Sequence, residues 1–432
     1  MLPCRKAENK DVAEAVSILG PGRKPLHAAI FTGEPMKSIK HVFEQVVDYD
    51  NLYRAYLNAR LCKRYRYEVL KFTAHLEDYL TLIQKQLTDG TYTLGRYREF
   101  YIYEPKQRLI MAQPFKDRVV QWAIYQILHP IFTKGYITDS YACIEGRGTH
   151  SAVERLQYWL KQVDRKESPY YYLKLDISKY FYRIDHEVLL SILKRRISDK
   201  RMIDLLSIII TSDKTNFGLP PGKSPGEVSR ADRVSDRGMP VGNLSSQMFA
   251  NLYLNELDQY CKRVLGIHYY VRYMDDVIIL HEDKKQLHEW KRLIDEFLQN
   301  NLKLDLNDKT CIRPVTLGIE FCGYKTWATH IKLRKSTALK MKRRLKRIQE
   351  QYSRGEITME RAMQTVNSYM GILKHCDSYT LKKTIFGEYS ATEWVDGWFY
   401  LQRDSEKIAA LQQEKERQEE QQNIGESSSN RG

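Results

Sequence analysis

Two apolar, β-favouring runs meet at a pair of adjacent acids in Val271-Arg272-Tyr273-Met274-Asp275-Asp276-Val277-Ile278-Ile279-Leu280. Strand formers on both sides predict a hairpin whose tight turn holds the carboxylates at its tip. Neighbouring residues of a strand point to opposite faces, so a turn is the usual way for adjacent acids to approach one cation site. An isolated Asp-Asp pair is more often a solvated loop. A third acid in the same kind of setting, about a hundred residues earlier, argues against that reading.

That acid is Asp176, delivered at the end of the alternating run Tyr171-Tyr172-Leu173-Lys174-Leu175 and followed by Ile177-Ser178-Lys179-Tyr180-Phe181. Hard divalent cations take oxygen ligands, and Mg²⁺ usually binds through one or two carboxylates plus substrate phosphates. Phosphoryl-transfer sites often hold two metals roughly 3.5–4 Å apart, one at the attacking oxygen and one at the leaving oxygen. Asp176 and Asp275 are placed to bridge such a pair, with Asp276 a weaker or outer ligand.

Composition narrows the partners. Lys and Arg number 69 against 54 Asp and Glu, a net charge of +15, which favours a polyanion. The 432 residues suffice for more than one domain. Seven scattered cysteines without a C-x-x-C pair suit neither a zinc site nor a disulfide framework and fit a reducing cytoplasm. No long apolar segment reads as a leader or a membrane span.

Six ordered motifs carry a family resemblance. They are Lys106-Gln107-Arg108 through Arg118 to Gln121; Asp139-Ser140-Tyr141-Ala142-Cys143 with Gly146-Arg147-Gly148-Thr149-His150; and the Asp176 strand. Then come Gly238-Met239-Pro240-Val241-Gly242-Asn243-Leu244-Ser245-Ser246-Gln247, the Tyr-Met-Asp-Asp turn, and Gly318-Ile319-Glu320-Phe321-Cys322-Gly323-Tyr324. From about His41 to about Phe386 the chain resembles bacterial reverse transcriptases of the group II intron, retron and diversity-generating retroelement group, with motifs most like the last branch.

The resemblance implies an α+β right-hand polymerase fold with fingers, an antiparallel palm sheet and a helical thumb. It implies catalysis by Asp176, Asp275 and Asp276 with two Mg²⁺ ions (Mn²⁺ as an alternative), the backbone carbonyl of Ile177 being a further ligand. Lys106 and Arg108 match the basic pair that holds the incoming triphosphate, though an exposed charged hairpin is the competing account. Phe181, five residues after Asp176, matches an aromatic gate that clashes with a 2′-hydroxyl and so selects deoxynucleotides. Val241 and Gln247 belong to the motif beside the nascent base pair, and Lys309 to a residue that protonates the leaving group. Arg118, Phe321 and Gly323 match template and primer contacts. Asp185 tempts as a fourth metal acid, but reads better as the cap of a helix starting at His186.

Val241 departs from the many reverse transcriptases that carry Gln there. An aliphatic chain lacks the hydrogen bonds of an amide, and the branch it resembles implies relaxed fidelity opposite template adenines.

Along the chain, residues 1–37 read as a loosely ordered extension with one short helix near Asp11 to Leu19, and 38–328 as fingers and palm. Lys63-Arg64-Tyr65-Arg66-Tyr67 interleaves base and aromatic, which suits nucleic acid and an ordinary amphipathic surface equally. The Pro/Gly/Ser-rich stretch from Thr211 to Gly238 reads as an exposed loop. Residues 329–400 form the expected thumb. Ile331 to Ile348 holds nine Lys/Arg in eighteen residues, while Met341, Leu345, Ile348 and Tyr352 mark one apolar face. Lys340, Arg343, Arg344 and Arg347 would meet duplex phosphates. Residues 401–432 are a polar Gln/Glu-rich tail, expected to be frayed or disordered. About 45 residues after the thumb helices are too few for a nuclease domain.

The partners implied are an RNA template, a DNA or RNA primer and dNTPs, without a membrane. A diversity-generating enzyme would add a structured RNA and a small helical accessory protein. The rival role is antiphage defence, making DNA from a dedicated non-coding RNA or without a template. A catalytically idle RNA-binding scaffold is disfavoured by the intact acids and Phe181.

Overall fold

The computed structural model describes residues 38–103, 107–212, 216–220, 222–389, 394–395 and 397–402. The extension 1–37, Lys106 and the tail from 403 onward lie outside them. Two compact units are formed, one from Met1–Gly146, Leu173–Ile279 and Lys284–Ile312, the other from Arg147–Tyr172, Leu280–Asp283 and Arg313–Gly432.

In the first unit, short helices from Phe43–Val47 to Leu76–Thr88 surround the helix Phe115–Thr133. Tyr56, Phe72 and Phe115 pack edge to face and face to face, with ring centroids 5.1 to 6.3 Å apart. Buried Asn51 ties the group together by donating to the Val46 and Ala123 carbonyls at 2.9 and 3.2 Å. Tyr65 and Tyr67 stay exposed.

Strands β1 (Arg98–Ile102) and β2 (Arg108–Ala112) form an antiparallel hairpin. A separate four-stranded sheet takes β3 (Tyr171–Asp176), β4 (Tyr270–Tyr273), β5 (Asp276–His281) and β6 (Cys311–Pro314) in the order β4-β5-β3-β6. Register pairs Tyr273 with Asp276, which leaves Met274 and Asp275 as a two-residue turn. Helix Leu244–Gln259 is buried at every position from Met248 to Gln259. Many of its polar side chains find partners, among them Ser245 on Gln121, Asn251 on the Ala142 carbonyl and Gln259 on the Gly135 carbonyl.

One of those partnerships organises the hairpin. Arg272 and Asp258 are each 0% exposed and joined by two 2.7 Å bonds from the guanidinium Nε and Nη2. Arg272 also donates to Ser140 Oγ (3.0 Å), Asn251 Oδ1 (3.2 Å) and the Met274 carbonyl (2.9 Å), while Tyr270 donates to Asp258 at 2.6 Å. Burial disfavours the guanidinium charge, and the Asp258 carboxylate overrides it.

The described part of the stretch from Thr211 to Gly238 is exposed at many positions, as expected of a loop, but it is pinned at a few buried ones. Phe217, Leu219, Val228 and Arg233 are buried, and Gly218 bridges Val234. A Pro/Gly-rich composition marks irregular backbone; it does not decide whether that backbone finds a groove to fill.

In the second unit, β7 (Ile319–Phe321), β8 (Tyr324–Thr326) and β9 (Ile331–Leu333) form an antiparallel meander. Helix Thr149–Asp164 packs against β8, and His150 bonds the Tyr324 hydroxyl at 3.1 Å. Helices Lys335–Ser353, Met359–Leu373 and Tyr379–Phe386 follow, close to the expected spans. Met341, Leu345, Ile348 and Tyr352 are buried as their spacing predicted. Among the described residues no helix is long and apolar enough to cross a membrane, and the described cysteines are all free.

Removing one half of a buried ion pair strands the other charge. Arg272→Met should therefore lower unfolding free energy by about 3–5 kcal/mol, and Arg272→Met/Asp258→Leu should recover at least half of the loss. Denaturant titration of both variants measures this, and a double variant as unstable as the single would refute the pair's dominance.

Candidate active site

Asp176 ends β3, and Asp275 occupies the β4–β5 turn, so two neighbouring strands of one sheet bring both acids to one end. Met274 makes the turn possible by adopting a φ of 54°, costly for a residue with a side chain and held there by the Arg272 bond to its carbonyl. Asp176 is fixed by a second loop. Its backbone N–H donates to Thr310 Oγ1 (3.2 Å), and its carbonyl accepts from Asn307 N–H (2.7 Å). Lys309 sits inside that Asn307–Thr310 turn with an exposed side chain. Ile177 is buried and bridges Leu306.

Electrostatics shows that the acids converge. Burial, then the carboxylates of Asp276 and Asp176, push Asp275 up to about 6, while Arg108 pulls it down. Arg108, exposed at the start of β2, thus acts on the same site. Asp276 lies 3.3 Å from Lys174 on neighbouring β3. Among the described residues no three His, Cys, Asp or Glu side chains close on one cation position. Two repelling carboxylates with only oxygen donors nonetheless suit a Mg²⁺ site completed by substrate phosphates.

Phe181 lies on the short helix Tyr180–Arg183 and shares one apolar cluster with Val241, Tyr182, Tyr101 and the buried Tyr97, Leu109, Met111 and Phe217. Val241 is tied to β2 by its carbonyl, which accepts from Met111 N–H. Next to it, a cavity of about 320 Å³ is lined by Lys63, Gln113, Arg118, Trp122, Gly242 and Gln247. The structure thus brings Arg118 and Gln247 together. Arg118 is half-buried, 3.8 Å from Glu68, and Gln247 accepts from Cys143 Sγ at 3.6 Å. Asp185 is a cap as expected, accepting from Val188 N–H at 3.0 Å and pairing with Lys303.

In the second unit, Cys322 and Gly323 form the β7–β8 turn with φ of 49° and 86°. Phe321 is only 1% exposed, so its ring packs inward and any outward contact there falls to backbone. Lys340, Arg343, Arg344 and Arg347 are all exposed. Lys174, Arg272 and Asp258 were not singled out from sequence. A charged residue within an apolar strand, as Arg272 is, signals a buried partner that sequence alone does not identify.

Paired carboxylates at a hairpin tip with Arg108 acting on them are chemistry suited to nucleotidyl transfer. Residues 104–326 match the family "Reverse transcriptase (RNA-dependent DNA polymerase)", and the chain belongs to that family, with its right-hand polymerase fold. It is 28% identical to Protein YkfC of Escherichia coli K12 over 287 residues, covering 58% of this chain and 72% of that one. It is 24% identical over 338 residues to the group II intron-encoded protein LtrA of Lactococcus lactis, covering 63% of this chain and 52% of LtrA. The putative COX1/OXI3 intron 2 protein of Saccharomyces cerevisiae matches at 24% over 302 residues, 58% of this chain and 34% of that protein. The chain therefore spans about half or less of the latter two. Apo telomerase from Candida tropicalis aligns with a TM-score of 0.41 and 13% identity, over 57% of this chain and 49% of that one.

The raised Asp275 carboxyl carries a stability consequence. A folded-state value of about 6 against an unfolded value of 3.8 means the folded state holds the proton more tightly, so stability falls as pH rises between these values. In EDTA, Asp275→Asn should stabilise the protein by on the order of 2 kcal/mol above pH 6 and by little below pH 4. Thermal unfolding across pH 4–8 reads it out; a gain independent of pH would refute this origin.

Proposed function

We propose that this reverse transcriptase synthesises cDNA on an RNA template, and that its copying is error-prone opposite template adenines, as in a diversity-generating retroelement. The observation that supports the reading is that Phe181 and Val241 both pack against the one cluster of Tyr97, Leu109, Met111 and Phe217, and Val241 is aliphatic, without hydrogen-bonding capacity.

Residues 38–328 act as fingers and palm and 329–400 as thumb. Asp176, Asp275 and the Ile177 carbonyl would hold divalent ions, with Asp276 a weaker or outer ligand. Such ions would supply Lewis-acid activation of the primer 3′-hydroxyl and charge neutralisation at the leaving pyrophosphate. Lys106 and Arg108 orient the triphosphate, and Lys309 supplies a proton to the leaving group. Phe181 excludes the 2′-hydroxyl. Arg118 and Gln247 line a cavity with room for a template nucleotide. The Phe321–Gly323 turn approaches the primer through backbone, and Lys340, Arg343, Arg344 and Arg347 hold duplex phosphates. A structured RNA and a small helical protein complete the assembly, and the work is done in the cytoplasm.

Primer extension on a mixed-sequence RNA with Mg²⁺ and dNTPs, followed by deep sequencing, tests this. Asp275→Ala/Asp276→Ala should abolish product. Errors should concentrate at template adenines and fall severalfold in Val241→Gln. An unchanged error spectrum in Val241→Gln would overturn its role, and accurate copying by the unaltered chain would favour antiphage defence instead. Arg343→Gln/Arg347→Gln should flatten the log–log salt dependence of duplex binding by about 2, one phosphate contact each. An unchanged slope would remove these residues from the duplex interface.

A further inference from the structure

The helix that bears Phe181 is four residues long, Tyr180–Arg183, and too short to hold its own geometry. Its carbonyls are held from outside. Phe181 O accepts from Met239 N–H at 2.7 Å, Tyr182 O from Leu219 N–H at 3.4 Å, and the following Ile184 O from Gly238 N–H at 2.7 Å. All three donors belong to the segment from Asn216 to Met239. The same segment inserts Phe217, 0% exposed, face to face on the Tyr182 ring, with centroids 4.4 Å apart and planes 8° from parallel.

The segment is anchored within and where its ends meet. Arg233 and Arg230 reach Glu99 of β1 at 2.9 and 3.4 Å. Its two ends come together at Gly218 and Gly238, which lie back to back. A Cβ on Gly218 would fall 2.5 Å from the Arg237 carbonyl oxygen, and one on Gly238 2.6 Å from Gly218 N. His186 adds a contact to the Gly238 carbonyl at 2.9 Å.

A steric gate discriminates only as far as its ring refuses to yield. Repulsion is steep, so a displacement of about half an ångström removes much of a clash, and the supporting residues set the tolerance. We propose that the Asn216–Met239 segment is a brace for the sugar gate, and that Phe217, through Tyr182, is a positioning residue for discrimination against ribonucleotides. This rests on the reading of Phe181 as the gate.

The test is single-nucleotide incorporation on an RNA template–primer, comparing kcat/KM for a dNTP with that for the matching rNTP. Phe181→Ala sets the scale. Phe217→Ala should reduce the dNTP/rNTP ratio by about tenfold, chiefly through faster rNTP use, with dNTP kcat held within about threefold. Phe181→Ala/Phe217→Ala should be no less selective than Phe181→Ala alone, because both changes act on one ring. Phe217→Leu and Glu99→Gln, milder changes, should lower the ratio in the same direction and carry the test should Phe217→Ala not fold. An intact ratio in the Phe217 and Glu99 variants alongside a lowered one in Phe181→Ala would overturn the brace alone. An intact ratio in Phe181→Ala would overturn the gate reading, and the brace with it. Equal losses for both nucleotides would reduce Phe217 to a structural residue and overturn the proposal.

Discussion

A guanidinium buried behind the catalytic turn is the constraint on which the first unit depends. Arg272 sits in a strand, Asp258 on the buried helix Leu244–Gln259, and Ser140 in the segment before the second unit begins. One planar fork with five donors reaches Asp258, Ser140 and Asn251 and also the Met274 carbonyl. A lysine offers no such fork. The left-handed Met274 and the raised Asp275 carboxyl are both unfavourable in isolation. They persist because this network over-determines the turn from beneath.

The charge around the acids is asymmetric. Asp276 and, less strongly, Asp176 both push the Asp275 carboxyl up, while Asp276 also pairs across strands with Lys174, two residues before Asp176.

Local signals in the sequence were reliable where the structure is local. The Tyr-Met-Asp-Asp hairpin, the Asp185 cap and the apolar face of Lys335–Ser353 depend on residues within a few positions of each other, and all were legible. The exposed character of the segment after Thr211 is legible, but its buried points Phe217 and Arg233 are not, because their partners Tyr182 and Glu99 are distant in sequence. Arg272 was overlooked for the same reason. A charge inside an apolar strand signals a buried partner, but that partner, Asp258, lies on another element and the strand does not identify it. Phe321 was legible as part of a turn but not as a ring facing the core.

The exposed cations of Lys335–Ser353 have a spacing worth drawing out. From Lys340 to Arg347 the helix advances about 10 Å, roughly three base-pair steps of a duplex strand. Point charges and forks at that pitch answer to a sugar–phosphate rail and present nothing that distinguishes one base from another. On the proposed reading such a grip holds every sequence alike, and selectivity in what is written falls to the apolar side chains around Phe181 and Val241, so that grip and judgement are separate properties.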